Sequence, residues 1–495
     1  MFSKNLKWSN HPKILEINTW PWLNEVSSLY GSPITLKDIP TELIKNDFKN
    51  FDVIWLMGVW ERSPRGREIA KQHPDLQTEF HNSINNFNSS DVVGSPYAVY
   101  FYHVDKNIGG NEGLESFRKE LSDNNQLLIL DYVPNHVAVD HMWTLIQSDI
   151  FIKGTEEDLI TRPNEYFNVI GQVYAHGRDP YFPPWTDTIQ INAFSYEARE
   201  KSIFTLLEIA ELCDGVRCDM AMLMINEIFS RTWGERAGAY PEKEFWVEII
   251  DSIRNVFPTF KFLAEVYWGM EWKLQRQGFD FCYDKTLYDR IIHDNAQSII
   301  GHLQASWNYQ TKLVRYIENH DEKRVIRVLG EDKSKAAAIL ILTLPGARLI
   351  NEGQTKGYKI KLPIQLGRRT REDSNFDLLN FYNKLLNSIP KNEFDDAQWK
   401  LCYIDAIDLS SMNLIAYQWD INDNWRIVVV NFSPITSRGH IRIKNIDFGD
   451  QTWEFTDILT ENKYLYKGEN LKRYGLYIEL SPWNGHIFSL RREVL

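Results

Sequence analysis

Two oppositely charged residues stand two positions apart inside an apolar run of the sequence. The run is CDGVRCDMAML, residues 213–223, and the charged pair is Arg217 and Asp219. If this run is a β-strand, the two side chains point to the same side and meet in a largely apolar place. A neighbouring guanidinium favours the ionised form of a carboxyl group. The spacing therefore indicates an ionised Asp219 beside Arg217.

Two further carboxyl groups stand at the ends of apolar runs. Glu265 lies in FLAEVYW, and Asp321 ends the run YIENHD. The sequence neighbours of Glu265 are apolar and an ionised Asp219 would repel a second charge, so we expect Glu265 to carry a proton. A carboxylate nucleophile and a carboxylic acid that flank one bond are the equipment for glycoside hydrolysis. A third carboxylate, Asp321, is suited to binding sugar hydroxyls and distorting the ring.

Each of these residues also has a structural interpretation. An Asp or Glu at a strand end is commonly a turn or cap residue, and Arg217 with Asp219 could be a simple ion pair. Asn135 and His136, which end the run QLLILDYVPNH, could cap a loop, and His320 could be a satisfied buried histidine. Burying several charges for stability alone is costly, however. Their common position at the ends of apolar runs therefore favours a functional site.

Short apolar runs recur along the first 355 residues, and these runs must position the charged groups. Continuous rather than alternating hydrophobicity is typical of parallel strands covered on both faces. Helix-like patterns such as GLESFRKELS and EFWVEIIDSIRNVF lie between many of them. The order predicts an α/β fold with a (β/α)8 barrel, whose active-site face is formed by the carboxyl ends of the strands. The eight runs are residues 13–20, 52–60, 126–136, 214–221, 260–268, 279–285, 313–321 and 347–353.

Two connections between these runs are much longer than a simple crossover. Residues 61–110 follow the second run and residues 137–188 follow the third. Loops of this length are usually functional. After about residue 395 the sequence changes to runs in which apolar and polar residues alternate, and this pattern predicts a separate antiparallel β domain. The predicted units are a barrel of residues 1–136 and 189–390, an inserted domain of residues 137–188 and a C-terminal β-sandwich of residues 395–495.

The composition argues against several classes of partner. The chain of 495 residues has a formal net charge of -12, whereas nucleic-acid binding needs clustered Lys and Arg. The longest apolar run, AAAILILTLPGA, is too short to cross a bilayer, and the N-terminal residues lack the apolar core of a secretion signal. We expect a cytoplasmic protein with no nucleic-acid and no membrane partner. The four cysteines lack the spacing of a zinc site or a disulfide framework; they are Cys213, Cys218, Cys282 and Cys402.

Four motifs in order resemble the signatures of the α-amylase family, glycoside hydrolase family 13. They are DYVPNH, GVRCDMAML, FLAEVYW and YIENHD, and each lies at the end of the appropriate predicted strand. The resemblance implies that Asp219 is the nucleophile, Glu265 the general acid and base, and Asp321 the stabiliser of the transition state.

The same resemblance implies roles for residues around these carboxyl groups. Arg217 is implied as the partner of the nucleophile, and His136 and His320 as ligands of the sugar at the cleavage site. The segment GSPYAVYFY is similar to the family's segment after the second strand, which implies that the Tyr97 ring stacks under that sugar. Residues 137–188 correspond to the family's small inserted domain, and the terminal β domain corresponds to its third domain.

The chain departs from the family pattern at several positions. Met222 and Leu223 stand where the family often has a Lys-His pair, which removes polar contacts expected on the leaving-group side. Gln190 stands where an Asp commonly helps to bind calcium, so Asn135 is the only matched ligand. Calcium takes six or more oxygen ligands, often with carboxylates among them. We therefore expect no metal at the usual site and no other cofactor.

Three functions fit these residues. The first is a retaining glycoside hydrolase that acts on α-glucosidic bonds of α-glucans or maltooligosaccharides through a covalent glycosyl-enzyme intermediate. The second is a transglycosylase or glycoside phosphorylase, in which the same intermediate passes to a sugar or to phosphate. The third is a non-catalytic carbohydrate-binding protein, which is disfavoured because buried charges without a task are costly. An oligosaccharide or polysaccharide is the expected partner in each case.

Overall fold

The computed structural model describes residues 6–146, 149–421 and 424–492. The first five and last three residues of the predicted ranges therefore lie outside the described residues, as do residues 147–148 and 422–423. The division of the chain into residues 1–136 with 189–390, 137–188 and 395–495 stays a prediction.

A closed barrel of parallel strands forms the centre of the molecule. Each strand pairs with its sequence neighbours, and the last strand pairs with the first, which closes the cylinder. The predicted (β/α)8 barrel is confirmed, and each of the apolar runs contributes one strand. The strands are β1 (Lys13–Asn18), β2 (Val53–Met57), β3 (Leu127–Tyr132), β4 (Gly215–Cys218), β5 (Lys261–Ala264), β6 (Phe281–Tyr283), β7 (Leu313–Arg315) and β8 (Ala347–Asn351).

Helices cover the outside of the barrel with one apolar face each. In the helix Phe245–Val256, for example, the buried residues Phe245, Ile249 and Ile253 recur at helical spacing. Among the described residues no helix has both the length and the apolar character needed to cross a membrane. The α-helices are Thr19–Tyr30, Thr41–Asp47, Pro64–Gln72, Pro74–Ser83, Gly110–Asp123, Trp143–Ile146, Glu156–Thr161, Tyr196–Leu212, Asn226–Trp233, Phe245–Val256, Glu271–Arg276, Lys285–His293, Ala296–Leu303, Trp307–Gln310, Val325–Thr343, Phe376–Ser388 and Gly468–Tyr474. Short 3-10 helices are Leu36–Asp38, Ser89–Asp91, Lys106–Ile108, Ala221–Met224, Gly234–Ala237, Gln354–Lys356 and Leu409–Asn413.

The two long connections carry their own short antiparallel strand pairs. After β2, the strand Trp60–Arg62 pairs with Val99–Val104. After β3, His136–Ala138 pairs with Thr188–Gln190, so the two ends of the inserted segment meet beside the carboxyl end of β3. Between them Tyr166–Val169 pairs with Gln172–Ala175. The excursions therefore start and finish at the face of the barrel where the charged residues lie.

Antiparallel sheets form the C-terminal part of the chain, as the alternating pattern predicts. Side chains from a larger and a smaller sheet share one core, which includes Ile427, Phe455 and Ile478. The larger sheet has the strand order Gln398–Leu401, Leu414–Ile421, Asn424–Asn431, Gly485–Arg492, Thr452–Asp457 and Lys463–Lys467. The smaller sheet has the order Tyr403–Ala406, Ser437–Arg442 and Leu476–Leu480.

Candidate active site

A pocket of about 320 Å³ lies at the carboxyl ends of the barrel strands. Asp219 follows β4 directly, Glu265 follows β5 directly, and Asp321 lies in the loop after β7. Of the sequence-predicted site residues, Arg217 and His320 lie behind the lining, and the others contribute to it. The lining residues are Ser95, Tyr97, His136, Trp185, Asp187, Thr188, Asp219, Met220, Glu265, Tyr267, Asp321, Ile364 and Gln365.

Arg217 is fully buried beneath the pocket and contacts both Asp219 and Glu265. Its Nη1 donates to Oδ1 of Asp219 over 2.8 Å, and its Nη2 lies 2.8 Å from Oε2 of Glu265. The guanidinium packs against the rings of Tyr97 and Trp55, 5.1 and 5.4 Å from their centroids. A planar fork with several donors suits such a double contact, which a lysine cannot reproduce. Arg217 thus fixes the positions of the two carboxyl groups relative to each other.

The two carboxyl groups share one positive charge. Burial raises the pKa of Asp219, Arg217 opposes this shift, and the nearby Glu265 adds to it. Burial and the second carboxyl group outweigh the guanidinium, which is contrary to the expectation that Arg217 keeps Asp219 ionised. A nucleophile and an acid of one reaction must differ in protonation.

The surroundings of Glu265 are more polar than its sequence neighbours suggest. Its Oε2 accepts a hydrogen bond of 2.7 Å from the backbone N–H of Met220, and its Oε1 accepts one of 2.8 Å from the hydroxyl of Tyr267. The adjacent Ala264 and Val266 are fully buried, and side chains next to each other in an extended segment point to opposite sides. The expectation of an apolar environment for Glu265 is therefore wrong, and these donors orient the carboxyl group.

Tyr267 is a site residue that the sequence reasoning missed. It lines the pocket and contacts Glu265 directly. The sequence contains a pattern that could have predicted this contact. Tyr267 stands two positions after Glu265, the same spacing that separates Asp219 from Arg217. On an extended segment this spacing places both side chains on one side.

His320 lies behind the pocket with a partner on each ring nitrogen. Its Nδ1 lies 2.5 Å from Oε1 of Glu16 in β1, and its Nε2 lies 3.0 Å from Oδ2 of Asp321 and 2.8 Å from the Tyr97 hydroxyl. Burial opposes protonation, but Asp321 and Glu16 outweigh it and raise the pKa of His320 to about 10. Burial would raise the pKa of Asp321, yet the charge of His320 holds it well below its usual range. The imidazolium of His320 therefore lies behind the pocket, next to the ionised Asp321 that lines it.

Glu16 and Asp131 are further buried carboxyl groups that the sequence reasoning did not single out. Asp131, in β3, accepts hydrogen bonds from the Trp55 indole at 3.2 Å and the Gly58 N–H at 3.0 Å, and it lies 3.9 Å from Arg217. Burial raises the pKa of Asp131 to about 6, although Arg217 opposes the shift. Both acids stand inside apolar strand runs, which is the pattern that drew attention to Asp219.

His136 reaches the pocket from the start of the inserted segment. It begins the strand His136–Ala138, and its ring lies 5.1 Å from that of Trp185, another lining residue. Burial lowers the pKa of His136 to about 3. A neutral imidazole with one donor and one acceptor nitrogen is suited to hydrogen bonding with a sugar hydroxyl. His136 and His320 thus carry different charges at neutral pH.

Met222 and Leu223 lie in the barrel core rather than at the pocket. Their exposed fractions are 0% and 3%, and both belong to the 3-10 helix Ala221–Met224. The wall of the pocket beside Glu265 is formed instead by Met220 and Tyr267. The family's polar contacts at the Lys-His positions are therefore replaced by core packing.

The usual calcium position contains an amide group. Nε2 of Gln190 donates to three oxygens at 2.9 Å each, namely the backbone and side-chain oxygens of Asn135 and the backbone oxygen of Ile191. A nitrogen donor among convergent oxygens occupies the place that a cation would take, so these residues do not fit calcium. Within the described part of the chain, His, Cys, Asp and Glu form no group of three or more suited to a metal.

Comparisons with known proteins agree with the fold and the motifs. No family model matches the chain. An α-amylase, MalA, of Haloarcula japonica is 25% identical over 355 residues, which cover 67% of this chain and 46% of that protein. The chain thus spans less than half the length of that relative. α-Amylase 3 of Dictyoglomus thermophilum is 22% identical over 439 residues, which cover 78% of this chain and 80% of that protein.

A solved structure matches almost the whole chain. The maltogenic α-amylase AmyB of Thermotoga neapolitana superposes with a TM-score of 0.66 at 19% identity, covering 97% of this chain and 98% of that one. The match includes the barrel and the C-terminal sheets, so the architecture is shared from end to end. Together these comparisons show that the chain has the fold of the α-amylases and is similar to them in sequence.

Proposed function

We propose that the protein is a retaining glycoside hydrolase that acts on α-glucosidic bonds of α-glucans or maltooligosaccharides. The observation that supports this most strongly is the placement of Asp219 and Glu265 in one pocket, each in contact with Arg217. Two carboxyl groups that flank a glycosidic bond are the minimal equipment for hydrolysis with retention. The names of the relatives, which are α-amylases, support the choice of α-glucans.

In the first step, Asp219 attacks the anomeric carbon and forms an ester bond to it. The bond from that carbon to the leaving oxygen breaks, and Glu265 gives its proton to this oxygen. The hydroxyl of Tyr267 and the backbone N–H of Met220 hold the Glu265 carboxyl group during the transfer. In the second step, Glu265 takes a proton from water, whose oxygen replaces Asp219 on the anomeric carbon. Both carboxyl groups then return to their starting states.

Other groups around the pocket bind the sugar that becomes attached to Asp219. Asp321 is ionised and is hydrogen-bonded to the charged His320, so it can accept hydrogen bonds from sugar hydroxyls. The Tyr97 ring stacks on His320 at 5.5 Å between centroids and lines the pocket beside Asp321. An aromatic face of this kind suits the C–H face of a sugar ring. These contacts favour distortion of the ring toward an oxocarbenium-like transition state.

The assignment is tested with Glu265→Gln and Asp219→Asn on a series of maltooligosaccharides and soluble α-glucan. We expect Glu265→Gln to lower kcat by about 10²- to 10⁴-fold, the contribution of general acid-base catalysis. Asp219→Asn removes the nucleophile and is expected to lower kcat at least as far. Asp251→Asn, at an exposed carboxyl group on the helix Phe245–Val256, is the matched control. Unchanged activity of Asp219→Asn would eliminate the proposed nucleophile.

The fate of the glycosyl intermediate distinguishes hydrolysis from transfer. We expect free sugars whose new reducing end first appears as the α-anomer in proton NMR spectra. The same reaction run with a labelled sugar acceptor, and separately with inorganic phosphate, reports transfer as a labelled oligosaccharide or a sugar phosphate. Predominant transfer would assign the protein to the transglycosylases or phosphorylases. Binding of glucan without turnover of any α-glucoside would assign it to the non-catalytic binding proteins.

A further inference from the structure

One side of the pocket is closed by two loops that are far apart in sequence. The loop after β2 meets the segment after β8 through a bridge between Val92 and Leu366. The backbone N–H of Val93 donates to the carbonyl of Gln365 over 2.8 Å, and the N–H of Gly367 donates to the carbonyl of Asp91 over 2.8 Å. These contacts make a continuous wall, which we call the 91–94/364–368 wall.

Side chains reinforce this wall. Arg368 binds Asp91 through two hydrogen bonds, Nε to Oδ1 at 2.6 Å and Nη2 to Oδ2 at 2.7 Å. Arg62, a buried residue in the strand Trp60–Arg62 after β2, contacts both loops of the wall. Its Nη1 donates to the carbonyls of Gly94 at 2.7 Å and Ile364 at 3.2 Å. Bidentate pairing between arginine and a carboxylate is geometrically specific as well as strong. These hydrogen bonds therefore fix the two loops relative to each other at the pocket.

An apolar cluster lies beneath the wall and anchors it to the loop helices. Val92 and Leu366 are both fully buried there, packed with Phe80 and Ile84. Because displacing the wall would expose these side chains to water, its closed position is favoured by apolar burial. Its pocket-facing residues are Ile364 and Gln365, which line the cavity together with Ser95, Tyr97 and Asp321.

Beyond Glu265 lie further aromatic rings, of which Trp268 is partly buried and Tyr181 is exposed. Tyr267 contacts Glu265, and the next residue, Trp268, meets the ring of Tyr181 at 5.0 Å between centroids. Tyr181 is 60% exposed. Its backbone N–H is held by Oδ1 of the buried Asp179 at 2.6 Å, which fixes the ring at the protein surface. Exposed aromatic rings of this kind offer stacking faces for sugar units outside the pocket.

The proposed roles of the two carboxyl groups determine how a substrate chain is oriented in the pocket. Glu265 protonates the leaving oxygen, so the departing sugars lie on its side, over Tyr267 and Trp268. The sugar bonded to Asp219 lies on the other side, and its chain continues from its own O4 toward the non-reducing end. The 91–94/364–368 wall lines the pocket together with Tyr97 and Asp321, the groups that bind the sugar attached to Asp219 in the proposed mechanism.

Resting on the proposed function, we infer that the pocket accepts only the non-reducing end of an α-glucan and releases short sugars from that end. The remaining chain lies across Trp268 and Tyr181. Gln365 of the wall and Asp187 of the inserted segment line the cavity and are placed to bind the hydroxyls of the terminal sugar. The cavity has a volume of about 320 Å³, at the lower end of the range for ligand pockets.

The test compares two maltooligosaccharides of equal length that carry the same chromogenic group at the reducing end. One has a free non-reducing end, and the other has a bulky ketal on O4 and O6 of its terminal sugar. We expect the wild-type protein to cleave the capped substrate at least 100-fold more slowly, and to release short products only from the free one. A commercial endo-acting amylase verifies that the capped substrate can be cleaved.

Equal cleavage of both substrates would overturn this inference and leave the proposed function standing. Cleavage of neither, together with no action on unmodified α-glucans, would overturn the proposed function and this inference with it. Arg368→Ala weakens the wall, and we expect it to raise the capped-to-free rate ratio at least tenfold. Trp268→Ala is the contrasting variant, for which we expect a higher KM for long substrates and an unchanged capped-to-free ratio. A rise of that ratio in Trp268→Ala but not in Arg368→Ala would also contradict the inference.

Discussion

Glu16 and Asp321 contact opposite nitrogens of the same imidazole, and this arrangement decides the charge of the sugar site. With a carboxylate on each side, His320 holds a proton that an isolated buried histidine would lose. The proton in turn keeps Asp321 ionised. Because Glu16 lies in β1, the first barrel strand controls a residue that follows the seventh.

We expect Glu16→Gln to lower activity mainly on the alkaline side. The folded-state pKa of His320, about 10, lies above its ordinary value of 6.5, so the stabilisation from its charge is present below pH 6.5 and is lost as pH rises through about 10. Removing the Glu16 charge lowers this pKa by roughly one unit or more, the usual effect of one nearby opposite charge. The alkaline limb of the plot of kcat/KM against pH should therefore shift toward lower pH. The loss of thermal stability with rising pH should also begin at a lower pH than in the wild type.

The matched control for this variant is Glu42→Gln, at an exposed glutamate on the helix Thr41–Asp47. A Glu16→Gln profile that superimposes on the wild-type profile would show that Glu16 does not set the charge of His320.

Tyr267→Phe removes a single oxygen that contacts Glu265. A hydrogen bond to a charged or proton-transferring group contributes about 1.5–3 kcal/mol, so kcat should fall by roughly 10- to 100-fold. The ring remains in place, so KM for short substrates should change little, and the free energy of unfolding should fall by no more than the contribution of the lost hydrogen bond. Steady-state kinetics measures kcat and KM, and urea unfolding measures the free energy of unfolding. An unaltered kcat would show that Tyr267 does not position Glu265 for catalysis.

At the scale of elements, the strand pair His136–Ala138 and Thr188–Gln190 holds the inserted segment beside the barrel. Gln190 is fully buried, and its amide bridges the two strands through Asn135. An uncharged amide satisfies these oxygens without a metal ion. The same strand pair carries His136 into the pocket, so the local pairing affects the site directly.

Gln190→Glu keeps the size of the side chain but points a carboxylate at the carbonyl oxygens. Losing the donor from a buried position costs about 1–3 kcal/mol of unfolding free energy, and more if the new group is charged. We expect a lower Tm in calcium-free buffer, with part of the loss restored by millimolar calcium, whereas the wild-type Tm should not change on chelation. Gln172→Glu, in the neighbouring strand Gln172–Ala175, is the control. A wild-type Tm that drops with chelator would contradict the interpretation of Gln190 as a replacement for the metal.

At the scale of the whole molecule, the C-terminal sheets are packed against the barrel through buried polar and aromatic contacts. The indole of Trp419 donates to the carbonyl of Thr343 over 2.7 Å, and the hydroxyls of Thr343 and Tyr417 are 2.6 Å apart. Trp419 is fully buried and stacks on Phe394 at 4.4 Å. The helix Val325–Thr343 thus ends on the first long strand of the larger sheet, Leu414–Ile421.

Trp419→Ala is expected to destabilise the whole chain while leaving the pocket intact. Removing a fully buried tryptophan costs about 3–5 kcal/mol, which should appear as a lower midpoint in thermal and urea unfolding. The activity of the folded fraction at low temperature should equal that of the wild type, because no pocket-lining residue contacts Trp419. Trp425→Ala, at a partly buried tryptophan within the same sheet, is the comparison, and an equal loss in both variants would contradict a special role for Trp419 at this boundary.

The sequence by itself determined the barrel and which charged residues lie at the carboxyl ends of its strands. Continuous apolar runs bounded by turn residues are typical of strands buried on both faces, and charged residues at their ends are too costly to be frequent without a task. The spacing of Arg217 and Asp219 placed both on one side of a strand, and the structure brings these residues together as expected. Five of the seven predicted site residues line one pocket because the carboxyl ends of parallel strands meet at one face.

Only the tertiary structure decided what surrounds these groups and which loops bound the pocket. Glu265 is oriented by Met220 from the preceding strand's loop, and His320 by Glu16, which is 304 residues away. The wall depends on Asp91 and Arg368, which are 277 residues apart. Hydrophobic periodicity encodes which side of its own strand a residue faces, but the partner across a barrel is set by closure of the sheet and by loop packing. Short sequence motifs thus identify the candidate reacting groups, whereas the proposed substrate selectivity depends on contacts between residues far apart in the chain.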